Sequence, residues 1–189
     1  METWQVITLA IVIGAVIVLA VGVMAVASKR RRRAHLQERF GPEYDRAVST
    51  SGRRDGESRL SEVEKEHDQL AIRDLPAAAR ERYLEEWQQA EARFVNDPAE
   101  AARAAERLVA RLLEDRGYPV NGDTEASVAH VAVDHPGVAE RYRHGQAMVD
   151  EDGGDNTENL RKAMIDFRSV LDELVGSGEP VASGEPTEA

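Results

Sequence analysis

The sequence of 189 residues contains no cysteine. The chain therefore forms no disulfide, no thiolate zinc site and no cysteine nucleophile. Aromatic residues are also scarce, at 5%. There is no glycine-rich phosphate loop, no G-x-S-x-G elbow and no H-E-x-x-H pair, so nucleotide-binding, hydrolase and zinc-protease chemistry lacks its sequence motifs. We predict that the protein is not an enzyme and that it carries no cofactor.

Charge is distributed unevenly along the chain. Residues 6–27 form an uncharged, mostly apolar run, residues 29–33 are all basic, and the chain from residue 34 onwards carries 19 basic and 34 acidic residues. A helix of about 22 residues, at about 1.5 Å per residue, is long enough to cross a hydrocarbon layer of about 30 Å. The positive-inside rule then places the N-terminus outside the cell and the remaining chain in the cytoplasm of a bacterial cell.

A cleaved secretory signal is the alternative interpretation of the same run. Ala25, Val26 and Ala27 match the small-x-small cleavage pattern. However, a signal peptide has its basic residues before an apolar region of about 7 to 15 residues, whereas here the basic residues follow a longer region. We favour the uncleaved single-pass span, and export after cleavage remains open.

The basic cluster that follows the span predicts contact with the membrane surface. If the cluster is only a stop-transfer signal, it needs no partner. If it also contacts an anionic leaflet, each basic residue adds about 1 kcal/mol of attraction to the lipid headgroups. Nucleic acid is a poor partner for this chain because the residues beyond the cluster are strongly acidic. The predicted partners are the lipid bilayer, a protein, and anionic headgroups that would contact Lys29, Arg30, Arg31, Arg32 and Arg33.

The remaining sequence shows helical periodicity and no alternation typical of strands. We predict an all-α protein in which a transmembrane helix precedes an irregular antiparallel bundle of four to five helices. The expected segments are an outer N-terminus at 1–5, the span at 6–27, a basic juxtamembrane segment and linker at 28–58, the cytoplasmic bundle at 59–175 and a disordered tail at 176–189.

Several helix boundaries are well marked. Asp97 is predicted to cap a helix that has Pro98 in its first turn and ends at Gly117. Further helices are predicted to begin at Pro136 and near Thr157, and a short helical turn is expected at 127–133. The large aromatic residues are expected in the core: Trp87, Phe94 and Phe167.

The histidines and carboxylates form no complete set of metal ligands in the sequence. Glu64 and His67 form a single Glu-x-x-His, but a di-iron bundle requires a second copy. His130, His135 and His144 lack the spacing of a ligand set, and the acidic loop at 150–155 lacks the glycine and the glutamate of a calcium loop. We predict no metal site, while a metal-dependent or other enzyme built on these side chains remains the alternative.

An ordered set of short motifs carries a resemblance. The motifs are FGPEYDR at 40–46, FVNDP at 94–98, RGYP at 116–119, VDHP at 133–136, YR at 142–143 and TExLRxAM at 157–164. In these motifs the chain resembles an uncharacterised family of small bacterial membrane-anchored, all-helical proteins. It departs from that family at Asn96, where an acidic residue is usual, and at Ala132, where serine is usual. The resemblance implies no activity and no cofactor.

The polar residues of these motifs are the candidates for a partner-binding surface. If they converge, the planar fork of Arg143 binds a carboxylate of the partner while the tyrosines stack against it. The sequence thus predicts a membrane-anchored helical interaction or scaffolding module with its soluble domain on the cytoplasmic face. The candidate partner-binding residues are Tyr44, Asp45, Arg46, Tyr118, Asp134, His135, Tyr142 and Arg143.

Overall fold

The computed structural model describes residues 2–120, 124–151 and 156–176, without the side chains of residues 2, 3, 5–12, 15, 18, 25, 124 and 125. Within these residues the chain is all-helical and no strand occurs, which confirms the all-α part of the predicted fold class. The predicted tail lies outside the described residues, apart from its first residue. The described residues form eight helices, more than the one span and four to five bundle helices predicted: α1 Glu2–Phe40, α2 Pro42–Ser51, α3 Arg53–His67, α4 Ala77–Arg93, α5 Pro98–Arg116, α6 Thr124–Asp134, α7 Pro136–Asp150 and α8 Thr157–Gly176.

The helix boundaries follow the capping signals of the sequence. The Asp97 side chain accepts a hydrogen bond from the backbone N–H of Glu100 at 3.0 Å, which confirms it as the cap of α5. Gly117 ends this helix in the left-handed conformation. His135 occupies the N-cap position of α7 without a side-chain cap hydrogen bond, whereas Asn156 accepts bonds from the first turn of α8.

The core lies between α5, α7 and α8, and the other helices surround it. α5 packs against α4 and α8, and α7 packs against α8 and α6. The apolar stripe of α5 includes Ala101 and Ala105, which are completely buried and allow neighbouring helices to approach closely. Of the aromatic residues expected in the core, Trp87 and Phe167 are buried, and Phe94 is half-buried against the core.

The segment 28–58, expected as a juxtamembrane segment and linker, is helical and packed against the core. Leu36 and Phe40 of α1 are completely buried, and Tyr44 and Ala47 of α2 are almost completely buried. Helices α2 and α3 pack closely because Gly56 has no side chain: a Cβ there would lie 2.9 Å from the backbone of Ala47. The folded domain therefore includes the end of α1 and begins more than 20 residues before the predicted boundary.

The apolar N-terminal run belongs to α1. Among the residues whose side chains are described, no helix is long and apolar enough to cross a membrane. The predicted span at 6–27 includes residues 6–12, 15, 18 and 25, and their side chains lie outside that description.

Candidate functional site

The eight candidate residues are distributed over several places in the bundle. Arg46 and Arg143 line one groove, Tyr118 and Asp134 belong to a polar cluster at the ends of α3 and α6, and Asp45 is exposed on α2. The remaining three contact other parts of the fold. Tyr44 donates a hydrogen bond to Glu57 of α3, His135 lies beside Glu173 of α8, and Tyr142 faces the core.

The groove runs between α2 and α7 and has a volume of about 600 Å³. Both helices begin here with a proline, Pro42 and Pro136, whose rings give the groove part of its apolar surface. A Cβ on Gly41 would lie 3.2 Å from Pro136, so the two helix starts are in close contact. The groove is lined by Pro42, Glu43, Arg46, Pro136, Glu140, Arg141, Arg143, His144, Ala147 and Asp166.

Ion pairs hold the walls of this groove together. Arg143 Nη1 of α7 lies 2.9 Å from Oε2 of Glu43 in α2, and the Glu43 side chain is buried. His144 Nδ1 lies 2.6 Å from Oδ2 of Asp166, which ties α7 to α8. Arg143, the arginine expected to bind a partner's carboxylate, thus has Glu43 as a partner within the protein.

Tyr44 belongs to a hydrogen-bond network that joins the first three helices. Its hydroxyl donates to Oε1 of Glu57 at 2.9 Å, and Arg33 Nε donates to the same oxygen at 3.0 Å. Burial and the bond to Glu57 raise the pKa of Tyr44. Desolvation alone would raise the pKa of Glu57, but the bonds from Tyr44 and Arg33 outweigh it and lower that pKa.

A partly buried polar cluster forms where α3 meets α6. Oδ2 of Asp134 lies 2.9 Å from Nε2 of His67 and accepts the hydroxyl of Tyr118 at 3.1 Å. The rings of His67 and His130 are stacked with their centroids 6.4 Å apart. Burial lowers the pKa of His130 despite Glu66, whose carboxylate lies 3.7 Å away. Burial and the charge of Asp134 raise the pKa of Tyr118.

Tyr142 packs in the core. Its ring lies 6.0 Å from that of Phe167 in a tilted arrangement, and only 6% of the residue is exposed. Burial, followed by the nearby charge of Glu106, raises its pKa. Tyr142 is thus unavailable for stacking on a partner.

The residues considered as metal ligands have other partners. Glu64 accepts a hydrogen bond from Arg39 at 2.6 Å and contacts His35 at 2.7 Å. His67 is hydrogen-bonded to Asp134, and His144 lines the groove between α2 and α7. Among the residues that the structure describes, no group of three or more potential ligands is close enough to hold a metal ion. The acidic loop lies partly outside the described residues.

Sequence reasoning missed Glu43, Glu57 and the pairing of His67 with Asp134. A signal for the first two was present: Leu36, Phe40, Tyr44 and Ala47 recur at helical spacing, which places neighbouring polar residues beside a core. The pairing of His67 with Asp134 joins positions 67 residues apart, and a local pattern carries no information about such a contact.

No family model matches the chain, and no match was found among curated proteins or solved structures.

Proposed function

We propose that this protein is a membrane-anchored helical interaction module, with its bundle on the cytoplasmic face and a protein partner bound in the groove between α2 and α7. The single observation that carries the proposal is this groove, which is large enough for a few side chains of a partner. Arg46 of α2 and Arg141 of α7 both line it, and both come from elements otherwise fixed in the core.

The proposed anchor is supported by the sequence of α1 and by the exposure of its described side chains. Twenty-two uncharged residues precede five basic ones, in the order expected for an N-out span. Val16, Leu19, Val23 and Met24 are each more than half exposed along this helix. A continuous exposed apolar surface of this kind favours burial in lipid over contact with water.

The composition of the groove defines the chemistry of the partner. Pro42, Pro136 and Ala147 offer apolar contact, while Arg46 is exposed at its edge. Glu43 and Arg143 neutralise each other within the wall. The partner is therefore expected to insert a small apolar side chain and to present a carboxylate to Arg46.

The test is site-specific photo-cross-linking of the full-length protein in cells. A photoreactive residue at Ala147 lies in the groove, and one at Gln88 on α4 is a control outside it. We expect an adduct from position 147 that disappears with Arg46→Glu and persists with the control Arg103→Glu on α5. An adduct insensitive to Arg46→Glu, or absent, would overturn the groove as the binding site.

A C-terminal reporter that is active only outside the membrane tests the proposed topology. A silent reporter together with an intact, membrane-bound chain is the expected result. An active reporter and a mass reduced by the first 27 residues would instead establish export after cleavage and reject the cytoplasmic location.

A further inference from the structure

The basic residues after the apolar run are joined by two arginines from a different helix. Arg53 and Arg54, in the first turn of α3, line a cavity of about 730 Å³ together with Lys29, Arg32 and Arg33 of α1. The segment containing Arg53 and Arg54 was expected to be a linker, so the sequence did not associate these two arginines with the basic cluster. Glu57 and Ser58 complete the lining.

Contacts between α1 and α3 fix this arrangement. Arg33 Nε donates to Glu57 at 3.0 Å, and Arg32 Nε donates to the Ser61 hydroxyl at 3.2 Å. Glu57, which is the one acidic group in the lining, already accepts from Arg33 and Tyr44. The cavity therefore has an excess of positive charge, supplied by two helices that are held together.

An apolar surface lies directly before this cavity on α1. Leu19, Val23 and Val26 line an exposed cleft of about 610 Å³ that ends at Arg30. These residues and Arg33 follow one another at steps of three or four, and so share one face of the helix. Along that face, apolar side chains give way to basic ones within about two turns.

We propose that this cavity is the headgroup site for an anionic phospholipid, whose acyl chains lie along the apolar face of α1 while Lys29, Arg32, Arg33, Arg53 and Arg54 surround its phosphate. The inference depends on the proposed membrane anchor. Arginine forks bind phosphate oxygens through paired N–H donors. The adjoining apolar face favours a lipid over free phosphate or nucleic acid, which have no apolar part to bury there.

The test uses the full chain, extracted in a mild detergent, and native mass spectrometry with phosphatidylglycerol or phosphatidylcholine added. The pocket variant is Arg53→Gln/Arg54→Gln. The control variant Arg103→Gln/Arg107→Gln changes the net charge equally at exposed positions of α5. At about fivefold per arginine, the pocket variant should bind phosphatidylglycerol about 25-fold more weakly than the wild type, and the control variant should bind it normally.

Other outcomes would overturn the proposal. Equal weakening in both variants would mean that net charge alone attracts the lipid. Competition by inorganic phosphate at the same concentration as the lipid would identify a free-phosphate site. Alkaline carbonate extraction of membranes tests the anchor separately: release of the wild type would reject the anchor, whereas retention with unchanged lipid binding in the pocket variant would reject the headgroup site alone.

Discussion

Nε2 of His67 lies 2.9 Å from Oδ2 of Asp134, and this contact joins the end of α3 to the end of α6. The same carboxylate oxygen accepts the hydroxyl of Tyr118. One exposed aspartate is therefore the hydrogen-bond partner of two buried side chains, since His67 and Tyr118 are 7% and 2% exposed. Asp134 was predicted as a partner-binding residue, and within the bundle its carboxylate contacts His67 and Tyr118.

The shared carboxylate predicts energetic coupling between Asp134 and Tyr118. Asp134→Asn and Tyr118→Phe should each lower the free energy of unfolding by about 1 to 2 kcal/mol. The double variant should lose less than the sum, with a coupling of about 1 kcal/mol in urea titrations. Asp45→Asn, at an exposed position of α2, is the control and should change stability by less than about 0.5 kcal/mol. Strict additivity would contradict the shared bond.

The buried ring of His130 predicts a loss of stability in mild acid. Burial lowers the pKa of His130 below its ordinary value of 6.5, so the unfolded chain binds a proton at a higher pH than the folded chain does. The contribution of the neutral His130 ring to the free energy of unfolding is complete above about pH 6.5. It is lost as the pH falls from there towards the pKa that His130 has in the folded chain. His130→Gln should flatten the fall in unfolding free energy between pH 7 and pH 5, whereas Gln88→Ala, at an exposed position of α4 with no titratable side chain, should leave it unchanged. An unchanged slope in the His130 variant would reject this origin.

The left-handed turn at Gly117 predicts a large cost for any side chain there. Its φ is 97°, and a Cβ would lie only 2.6 Å from the carbonyl oxygen of Ala71. Gly52 also has a positive φ, 80°, but a Cβ there would meet nothing within 4 Å. Gly52→Ala should therefore cost about 1 to 2 kcal/mol from the backbone conformation alone, because φ 80° with ψ 161° lies in a region essentially restricted to glycine. Gly117→Ala should cost about 3 kcal/mol because the contact with Ala71 is added. Equal denaturation midpoints for the two variants would contradict the close contact.

The buried guanidinium of Arg116 predicts that α5 stabilises the end of α8. Arg116 is 5% exposed, and its Nη1 donates to the backbone carbonyl of Leu174 at 2.8 Å. Arg116→Met keeps most of the side-chain volume but removes this bond, and should cost about 2 kcal/mol. Hydrogen exchange should accelerate in the last turn of α8. Arg107→Met, at an exposed position on the same helix, should change neither quantity.

The sequence was informative where local signals mark an element. The cap at Asp97, the proline at Pro136 and the periodic apolar residues from Leu160 to Leu174 predicted α5, α7 and α8, and the structure confirms these helices. It was less informative at 28–58, because serine, glycine and charged residues there have the composition of a linker. Their helical structure depends on the hairpin of α2 and α3, which packs against α1 and α6.

The groove was only partly predictable for a related reason. Arg46 and Arg143 were identified from motifs, but their separation in sequence gave no indication that both would line one groove. Glu43, the buried partner of Arg143, was not identified, because a glutamate in a short charged segment is usually exposed. Contacts between distant helices decide which polar residues are buried, and these contacts are absent from local patterns.

The continuity of α1 has a mechanical consequence. The helix runs unbroken from Glu2 to Phe40, about 58 Å at 1.5 Å per residue, and has neither glycine nor proline after Gly22. Since Leu36 and Phe40 are completely buried in the bundle, no hinge separates the apolar end of this helix from the folded domain. A tilt or twist applied to the apolar end is therefore transmitted as torque to the bundle, and the opening between α2 and α7 turns with it.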